Sequence, residues 1–565
     1  MATKAFVTMS CIAALSACNT TTKTVEIKER KSESLFNLPK DITEQDVLRG
    51  SITPERAWWD LQHYTLSLNV DPATKSISGS NVIKYKVLNE AQALQIELQP
   101  PMKITKAEQN GKTLEITTKG YSYFIATNAD NKIGSEEAVT VYFEGMPKEA
   151  IRAPWDGGIT WTKDEQGTDF VASANQGIGS SIWWPNKDHG YDEPDQGIDM
   201  HVEVPEHLMN ISNGRLISTS HNQDRKTKTY HWKVINPINN YGVNINVGDY
   251  VHFGETYRGE KGALDMDYYV LSYNLDKAKK QFKEAARTIE AFEHWFGPYP
   301  FYEDSFKLVE APYLGMEHQS SVTYGNGYQN GYLGRDRSQA GPGLLFDFII
   351  VHEAGHEWFA NNITAKDVAD LWIHESFTNY SESLFLEYHF GKGTAFKYQR
   401  GSRRNPQNQK TIEGLHGVHR EGSSDMYDKG GNVLHTIRQL VDSDEKWRQI
   451  LRGLNKEFYH QTVTAKQVER YIAEQAQLNL APVFDQYIRD ARIPMLEYFI
   501  KEKEIDVRWA NTIKSFDMPI KVNIDGEERW ITPTTKWQTI SLAKQAQSFN
   551  INKEFYVGSL NILGD

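Results

Sequence analysis

The sequence contains few cysteines, no long apolar run and no excess of basic residues. Cys11 and Cys18 are the only cysteines among its 565 residues, so we expect neither disulfides nor thiolate metal sites in the folded part. A bound metal would therefore need nitrogen and oxygen ligands. The lack of an apolar run of about 18 residues or more predicts that no helix spans a membrane. The net charge of −12, without any basic tract, argues against binding to nucleic acid.

The N-terminus, "MATKAFVTMSCIAALSACNTTTK", has the layout of an export signal. Lys4 precedes a short apolar region, and small residues then lead into a cysteine, so residues 1–17 are predicted to be a signal peptide. The stretch "LSAC" resembles the lipobox of bacterial lipoproteins, which implies cleavage before Cys18 and lipid attachment to it. Asn19 is not an acidic retention residue, so the resemblance favours anchoring in the outer membrane, facing the periplasm. An ordinary secretory signal with an incidental cysteine is the alternative.

The rest of the chain divides into four parts by composition and periodicity. Residues 18–54 are polar and predict a tether. Residues 55–260 contain runs such as "HYTLSLNV" and "AVTVYFEG", whose period of two predicts strands and a large β domain. Residues 261–492 mostly show helical spacing. Residues 493–565 turn strand-like again, and "NIDGEERW" predicts a hairpin with Asp-Gly at its turn. The predicted fold class is multidomain α+β.

The segment "FDFIIVHEAGHEWFANNI" places three titratable groups within an apolar stretch. On a helix, residues four apart lie about 40° apart around the axis, one turn along. His352 and His356 can therefore direct two imidazoles to one point, and Glu353 is near enough to reach a water there. This is the HExxH arrangement of two zinc ligands and a general base. A pair of core histidines is the weaker interpretation, since Glu353 would then be buried without a partner.

Catalytic zinc needs a third protein ligand and an open position for water. Glu375, which follows His356 after 18 intervening residues in the next predicted helix, is the candidate. Neighbouring His374 points about 100° away around that helix, so we do not expect it to be a ligand. Glu382 lies two turns after Glu375 on nearly the same face, where it could accept a hydrogen bond from a ligand imidazole. A solvated glutamate is the other interpretation of Glu382.

This spacing of HExxH and glutamate resembles the gluzincin aminopeptidases of the aminopeptidase N and leukotriene-hydrolase family. Three further stretches fit the family in the right order: "NQGIGSSIWWPNKDHGYDEPD" in the β domain, "PYLGMEHQSSVTYG" at the exopeptidase motif Gly-x-Met-Glu-Asn, and "MYDKGGNVLHTIRQ" at the Tyr-x-Lys-Gly block. The resemblance covers residues 55 to 500. It implies an N-terminal β-sheet saddle domain, a thermolysin-like and mainly α catalytic domain, and a small C-terminal β domain.

The resemblance also implies a function, an aminopeptidase that removes N-terminal residues from peptides with a free N-terminus. One zinc ion per chain would activate water, and Glu353 would act as the general base. Tyr427 occupies the position of the family's donor to the oxyanion. The residues implied to bind substrate are Gln176, Gly315, Met316 and Glu317. Among them, Glu317 and Gln176 would hold the substrate's α-ammonium, which requires carboxylate and amide oxygens.

The sequence departs from the family pattern within the exopeptidase motif. Leu314 stands where the motif has its first glycine, and His318 where it has asparagine, which puts the cleft width and the subsite preference in question. The alternatives are a related gluzincin with endopeptidase-like activity or a preference for glycyl N-termini, an epoxide hydrolase, and an inactive anchored peptide-binding protein. Glu317 argues against an endopeptidase, and the intact zinc site argues against an inactive protein. The sequence makes no prediction of an oligomeric state.

Overall fold

The structure, a computed structural model, describes residues 42–127 and 132–562. The predicted signal peptide, Cys18 and the first part of the predicted tether lie outside these residues. Within the described ranges, no helix is both long enough and apolar enough to cross a membrane.

The described chain begins with two short helices, α1 (Glu44–Gly50) and α2 (Pro54–Ala57). Arg49 is buried and forms an ion pair with Asp188 at 2.9 Å. Asp46 pairs with Arg420 at 2.8 Å. The prediction of a polar tether is therefore wrong for residues 44–54. The charges of this segment have specific partners far along the chain, which its composition did not indicate.

Three sheets form the N-terminal β region. Its strands are β1 (Trp59–Asp71), β2 (Ser76–Val87), β3 (Leu94–Glu97), β4 (Lys103–Gln109), β5 (Lys112–Thr113), β6 (Ile116–Lys119), β7 (Ser122–Ile125), β8 (Glu136–Gly145), β9 (Gly158–Lys163), β10 (Asp169–Ala174), β11 (Ile198–Pro205), β12 (Met209–Ile211), β13 (Arg215–Asn222), β14 (Thr227–Val234) and β15 (Asn246–Gly248). The largest sheet has the order β13-β14-β11-β1-β2-β8-β4-β5. Apolar side chains from this sheet and from the sheets β12-β15-β10-β9 and β3-β7-β6 form one core.

The middle region combines helices with a five-stranded sheet. Its elements are β16 (Tyr250–Gly259), β17 (Gly262–Leu271), α3 (Leu275–Gln281), α4 (Lys283–Phe296), β18 (Phe306–Glu310), β19 (Gly315–Met316), β20 (Val322–Tyr324), α5 (Phe348–Gly355), β21 (Ile363–Ala365), α6 (Trp372–Phe390), α7 (Lys392–Ser402), α8 (Asp428–Val441), α9 (Asp444–Glu457), β22 (Gln461–Val463), α10 (Ala465–Ala476) and α11 (Ala481–Ile488). The sheet has the order β16-β17-β18-β20-β19. Helix α5 contacts β19 and β20 on one side and α6 on another, and α6 also contacts α8.

The predicted boundary between residues 260 and 261 falls inside the β16–β17 hairpin. Both strands pair in the sheet that continues into β18, so this region begins near Tyr250. The alternating pattern of the hairpin is the same as that of the preceding β region, and it therefore did not reveal the change of sheet.

The C-terminal region contains two small sheets, β27-β24-β23-β29 and β26-β25-β28. Their strands are β23 (Met495–Ile500), β24 (Glu504–Ala510), β25 (Ile520–Ile524), β26 (Glu527–Ile531), β27 (Gln538–Ser541), β28 (Phe549–Ile551) and β29 (Gly558–Asn561). The predicted hairpin is present, with Asp525 and Gly526 at positive φ between β25 and β26. The predicted α+β organisation into a β region, a helical middle and a small β region is confirmed.

Candidate active site and metal centre

Helix α5 presents the two histidines of the HExxH motif. Asp347 precedes the helix, and its side chain accepts hydrogen bonds from the backbone N–H groups of Ile349 and Ile350 at 3.1 and 3.4 Å, which satisfies part of the exposed helix end. His352 lies within α5, and His356 follows its last residue with helical φ and ψ. Both imidazoles are buried, with ring centroids 5.0 Å apart.

Glu375, in the first turn of α6, completes a group of three potential ligands. Its Oε2 lies 3.8 Å from Nε2 of His352 and 3.5 Å from Nε2 of His356. Two ligands at about 2.0–2.1 Å from a tetrahedral zinc ion are about 3.3–3.4 Å apart, so these separations fit zinc. The same Oε2 is buried and has no hydrogen-bond partner among the described residues. A cation between the three groups would satisfy it.

The second nitrogen of each imidazole is held by a fixed partner. Nδ1 of His352 lies 2.8 Å from Oε1 of Glu382, whose other oxygen accepts a hydrogen bond from the hydroxyl of Tyr398 at 2.5 Å. Nδ1 of His356 lies 3.1 Å from the carbonyl oxygen of Phe359. Because these acceptors favour a proton on Nδ1, each Nε2 is left to face Glu375.

Glu382 is fully buried, so the alternative of a solvated glutamate is wrong.

Several ionisable side chains lie close together at this site, and they shift the pKa values of Glu353 and Glu375. Burial raises the pKa of Glu353 to about 7, with the carboxylate of Glu375 adding to the effect. Burial also disfavours ionisation of Glu375, but His356 and His352 outweigh it and lower the pKa of Glu375 to about 2. Glu353 thus combines a near-neutral pKa with a place beside the metal ligands, which suits a group that takes up and returns a proton.

Glu317 brings a further carboxylate to the same place. One of its oxygens lies within 4.8 Å of ligand-type atoms of Glu353 and His356. Its side chain is only 2% exposed, and its Oε1 has no hydrogen-bond partner among the described residues. Burial raises the pKa of Glu317 well above its ordinary range, and Glu375 and Glu353 add to this. A cationic group that paired with the carboxylate would offset the free-energy cost of ionising it in a buried place.

The other predicted substrate-binding residues contact Glu375 or lie next to α5. Nε2 of Gln176, from the β region, donates to Oε1 of Glu375 at 2.5 Å, so Gln176 contacts a metal ligand in this structure. Gly315 and Met316 form β19, the edge strand of the five-stranded sheet, next to α5. A Cβ atom on Gly315 would lie 2.6 Å from Cγ2 of Ile349 and 3.0 Å from Oε1 of Glu353. This position therefore needs glycine.

Tyr427 lies immediately before α8 and is half-buried. Its ring stacks near His352, with centroids 6.2 Å apart. Burial raises the pKa of Tyr427 well above 10, and the carboxylates of Glu375 and Glu317 add to this. The phenol therefore stays protonated and can donate a hydrogen bond.

The two departures from the exopeptidase motif differ in their surroundings. Leu314 is half-buried and packs against the core of the middle region. His318 is fully buried, with Nδ1 3.4 Å from the hydroxyl of Thr323, and burial lowers its pKa to about 3. His318 is therefore neutral and adds no charge beside Glu317.

Several contacts of the site were not predicted from the sequence. Tyr241, from the β region, is buried against Glu317 and Glu375, and Asn361 donates to the carbonyl of Glu317 at 2.9 Å. His374, excluded as a ligand, accepts a hydrogen bond from the backbone of Ala365 at 2.8 Å. Neither Tyr241 nor Asn361 belongs to a motif with fixed spacing, so only the folded chain reveals them.

Two histidines and a glutamate around one point, with a buried glutamate beside them, define a metal-dependent hydrolase site of the zinc type. Residues 280–487 match the family model described as Peptidase family M1 domain, so the chain carries a domain of peptidase family M1. The family resemblance drawn from the four motifs is thereby confirmed, and zinc is the metal that this family implies.

Curated relatives share part of the sequence, and a solved structure shares the fold. Leukotriene A-4 hydrolase of Xenopus laevis is 23% identical over 448 residues, covering 74% of this chain and 68% of the relative. Endoplasmic reticulum aminopeptidase 1 of Mus musculus is 23% identical over 287 residues, 48% of this chain. That match spans only 30% of the mouse protein. A crystal structure of an M1 zinc metallopeptidase from Deinococcus radiodurans superimposes with a TM-score of 0.62 at 19% identity, covering 74% of this chain and 91% of that one.

Proposed function

We propose that the protein is a zinc-dependent aminopeptidase that removes N-terminal residues from peptides. The observation that carries this proposal is the buried carboxylate of Glu317. It lies close to Glu353 and to the candidate ligand His356, and one of its oxygens has no partner among the described residues. A buried carboxylate is costly unless it is paired, and the α-ammonium of a peptide would pair with it. Such a contact would place the first peptide bond, and no later one, beside the metal.

Each chemical role has a residue whose surroundings support it. Zinc held by His352, His356 and Glu375 would act as a Lewis acid that polarises a water and the scissile carbonyl. Glu353 would take the proton of the water and deliver it to the leaving amine. Tyr427 would donate a hydrogen bond from its hydroxyl to the oxyanion, and removal of one such donor typically costs about 2.7–4 kcal/mol.

The test of this function compares a peptide with its N-acetylated twin on the zinc-loaded protein. We expect the wild type to cleave the free-amine form far better, because acetylation removes the charge that Glu317 pairs with. Glu317→Ala should lower kcat/KM on the free form by at least about tenfold to a hundredfold, since charge-assisted hydrogen bonds contribute about 1.5–3 kcal/mol each. It should also narrow the ratio between the two peptides.

The outcomes separate the alternatives. Equal cleavage of both peptides by the wild type would indicate an endopeptidase-like enzyme. No turnover of any peptide by protein that contains one zinc per chain would favour a peptide-binding protein. Gln176→Ala should cost less than Glu317→Ala, because its contact with an ammonium is that of a neutral amide.

We also propose, from the sequence alone, that Cys18 carries a lipid anchor in the cell envelope. One acyl chain gives only marginal membrane binding, so stable attachment implies more than one chain. Cys18→Ser should then shift the protein from the detergent phase to the aqueous phase or leave it unprocessed. Mass spectrometry that finds mature protein with an unmodified Cys18 would contradict the anchor.

A further inference from the structure

The loop between α7 and α8 reaches the segment of the β region that carries Gln176. Nε2 of His419 in this loop lies 2.9 Å from the carbonyl oxygen of Gly177. A Cβ atom on Gly177 would lie 3.7 Å from Oε2 of Glu421. Gly177 directly follows Gln176, whose amide donates to the candidate metal ligand Glu375 at 2.5 Å. The carboxylate of Glu421 therefore lies next to the point where the β region contacts the metal centre.

The backbone on both sides of Glu421 is held by hydrogen bonds. The N–H of His419 donates to the carbonyl oxygen of Asp46 in α1 at 2.9 Å. The N–H of Ser423 donates to the carbonyl oxygen of Thr411 at 3.1 Å. Because Glu421 lies between these two contacts, its carboxylate is presented from a backbone that is fixed relative to Gln176.

Glu421 has no cation of the protein to pair with. Its side chain forms no hydrogen bond or ion pair with any residue in the described part of the chain. The basic residues beside it do not supply one, since Arg420 forms an ion pair with Asp46 at 2.8 Å. Burial lowers the pKa of His419 to about 4, with the charge of Arg49 adding to this. His419 is therefore neutral near pH 7.

The charge of Glu421 acts on the active site. Its side chain reaches solvent, yet the protein around it excludes enough water to raise its pKa, and the carboxylate of Glu375 raises that pKa further. Together with burial, the charges of Glu375, Glu317 and Glu421 raise the pKa of Tyr427. A partly desolvated, unpaired carboxylate that remains open to solvent would be stabilised by a cation arriving with the substrate.

A basic side chain near the N-terminus of a peptide can supply this cation. In the proposed function, Glu317 and Gln176 hold the α-ammonium, and the side chain of the first residue branches from the carbon that carries it. The second residue begins just beyond the bond that is cleaved. Lysine and arginine carry their charge at the end of a long flexible stem, so either position can bring a cation to a carboxylate beside Gly177.

We propose that Glu421 binds the side chain of a lysine or arginine within the first two residues of the substrate, so that peptides with a basic N-terminal end are preferred. The proposal rests on the aminopeptidase function given above. It assigns a role in substrate preference to a residue outside both the metal-ligand set and the exopeptidase motif.

The test measures kcat/KM of the zinc-loaded enzyme on two pairs of tripeptides. Lysine is compared with norleucine, which has the same stem without the ammonium, once at the first position and once at the second. Lysine should exceed norleucine by at least about fivefold at one of the two positions, because a charge-assisted contact is made there. This preference should shrink as the salt concentration rises from about 0.05 M to about 0.5 M, since salt screens exposed charges.

Variants test the assignment to Glu421. Glu421→Gln removes the charge at nearly constant size and should lower the lysine-to-norleucine ratio severalfold at the preferred position. Glu421→Lys reverses the charge and should place glutamate above lysine there. Glu502→Gln is the matched control, because Glu502 is also exposed and unpaired among the described residues but lies in the turn between β23 and β24. It should leave the ratio unchanged.

The outcomes distinguish this inference from the function on which it rests. Cleavage of norleucyl peptides without a preference for lysine at either position would overturn the role of Glu421 and leave the aminopeptidase function standing. A lysine preference that persists in Glu421→Gln or in Glu421→Lys would equally overturn it. Failure to cleave any free-amine peptide would count against the function itself. Either variant alone decides the assignment, so the test survives if one of them does not fold.

Discussion

At the scale of single residues, the site depends on buried carboxylates with different tasks. Glu375 is held ionised by two imidazoles, whereas burial keeps Glu317 and Glu353 easier to protonate. The difference arises from position, since Glu375 faces both histidines and Glu317 faces other acids. In the proposed function, a metal ligand, a proton carrier and an ammonium receptor would thus be built from one residue type.

The roles of the HExxH residues can be separated by substitution. His352→Ala should lose zinc and activity together, because it removes a ligand. Glu353→Gln should retain zinc and lower kcat by at least about a hundredfold, because general acid–base catalysis contributes 10²–10⁴-fold. Metal analysis with kinetics on each variant checks both expectations. Near-normal turnover in Glu353→Gln would show that another group carries the proton.

A second residue-scale prediction concerns Glu193, a buried acid of the β region. Burial raises its pKa from an ordinary value of 4.5 to about 8, and its Oε1 has no partner within the described residues. The folded state therefore holds a proton that the unfolded state releases above about pH 4.5. Its stabilising contribution is complete below that pH and is lost as the pH rises through 8.

Glu193→Gln keeps the neutral form at every pH. The Tm of this variant minus that of the wild type should therefore grow more positive between pH 6 and pH 9, corresponding to on the order of 1–3 kcal/mol in the free energy of unfolding. Thermal melts at several pH values measure this difference. The exposed Glu90→Gln is the control and should show no trend. A difference that stays constant with pH would mean that Glu193 is ionised in the folded protein.

At the scale of elements, the site depends on how closely β19 approaches α5. Gly315→Ala would place a methyl group 2.6 Å from Cγ2 of Ile349 and 3.0 Å from Oε1 of Glu353, so the strand or the glutamate must shift. We expect kcat/KM to fall by about tenfold or more, and overpacking to cost about 1–3 kcal/mol of stability. Gly393→Ala in α7, where a Cβ has open space, should leave kcat/KM unchanged and raise stability by about 0.4–1 kcal/mol. Unchanged kinetics in Gly315→Ala would show that β19 does not position Glu353.

The sequence predicted contacts between residues that are close along the chain, and it did not predict contacts between residues that are far apart. His352, Glu353 and His356 lie within one turn and a half of helix, so their spacing alone predicted that they would meet at one site. The contact of Glu382 with His352 could be anticipated from helical periodicity. Tyr241 and Tyr398 reach the site through tertiary packing that no local pattern encodes. Helix α1 was missed because its charged composition is equally typical of a solvated segment.

At the scale of the whole molecule, the small C-terminal β region is packed into the middle region. Leu496, Trp509 and Met518 belong to the same apolar core as the helices around the zinc site. Glu554 pairs with Arg400 and lies 3.3 Å from Nε2 of His435. The two regions share both their apolar core and buried ionic contacts, so we expect neither to be stable alone.

This shared core predicts one calorimetric transition for the middle and C-terminal regions together. Glu554→Ala leaves Arg400 and the buried His435 without their partner, so it should lower the temperature of that transition without splitting it. Arg400 is only part-buried, and burial lowers the pKa of His435 to about 4, so His435 is neutral near pH 7 and the loss should cost about 1–3 kcal/mol. Differential scanning calorimetry of the two proteins provides the measurement. Two resolved transitions assigned to residues before and after 492 would contradict the shared core.

The position of α1 also affects the order in which its contacts can form during synthesis. Its seven residues are made early, but Asp188 lies 139 residues after Arg49, and Arg420 lies 374 residues after Asp46. At about 5–20 residues per second, synthesis of that longer interval takes roughly 20–75 seconds. A helix shorter than about 12 residues is marginal in water on its own. During synthesis, the contact of Asp46 with Arg420 therefore cannot form before the chain has passed residue 420, whereas the contacts of Arg49 with Ile178 and Asp188 become available once the β region has been made.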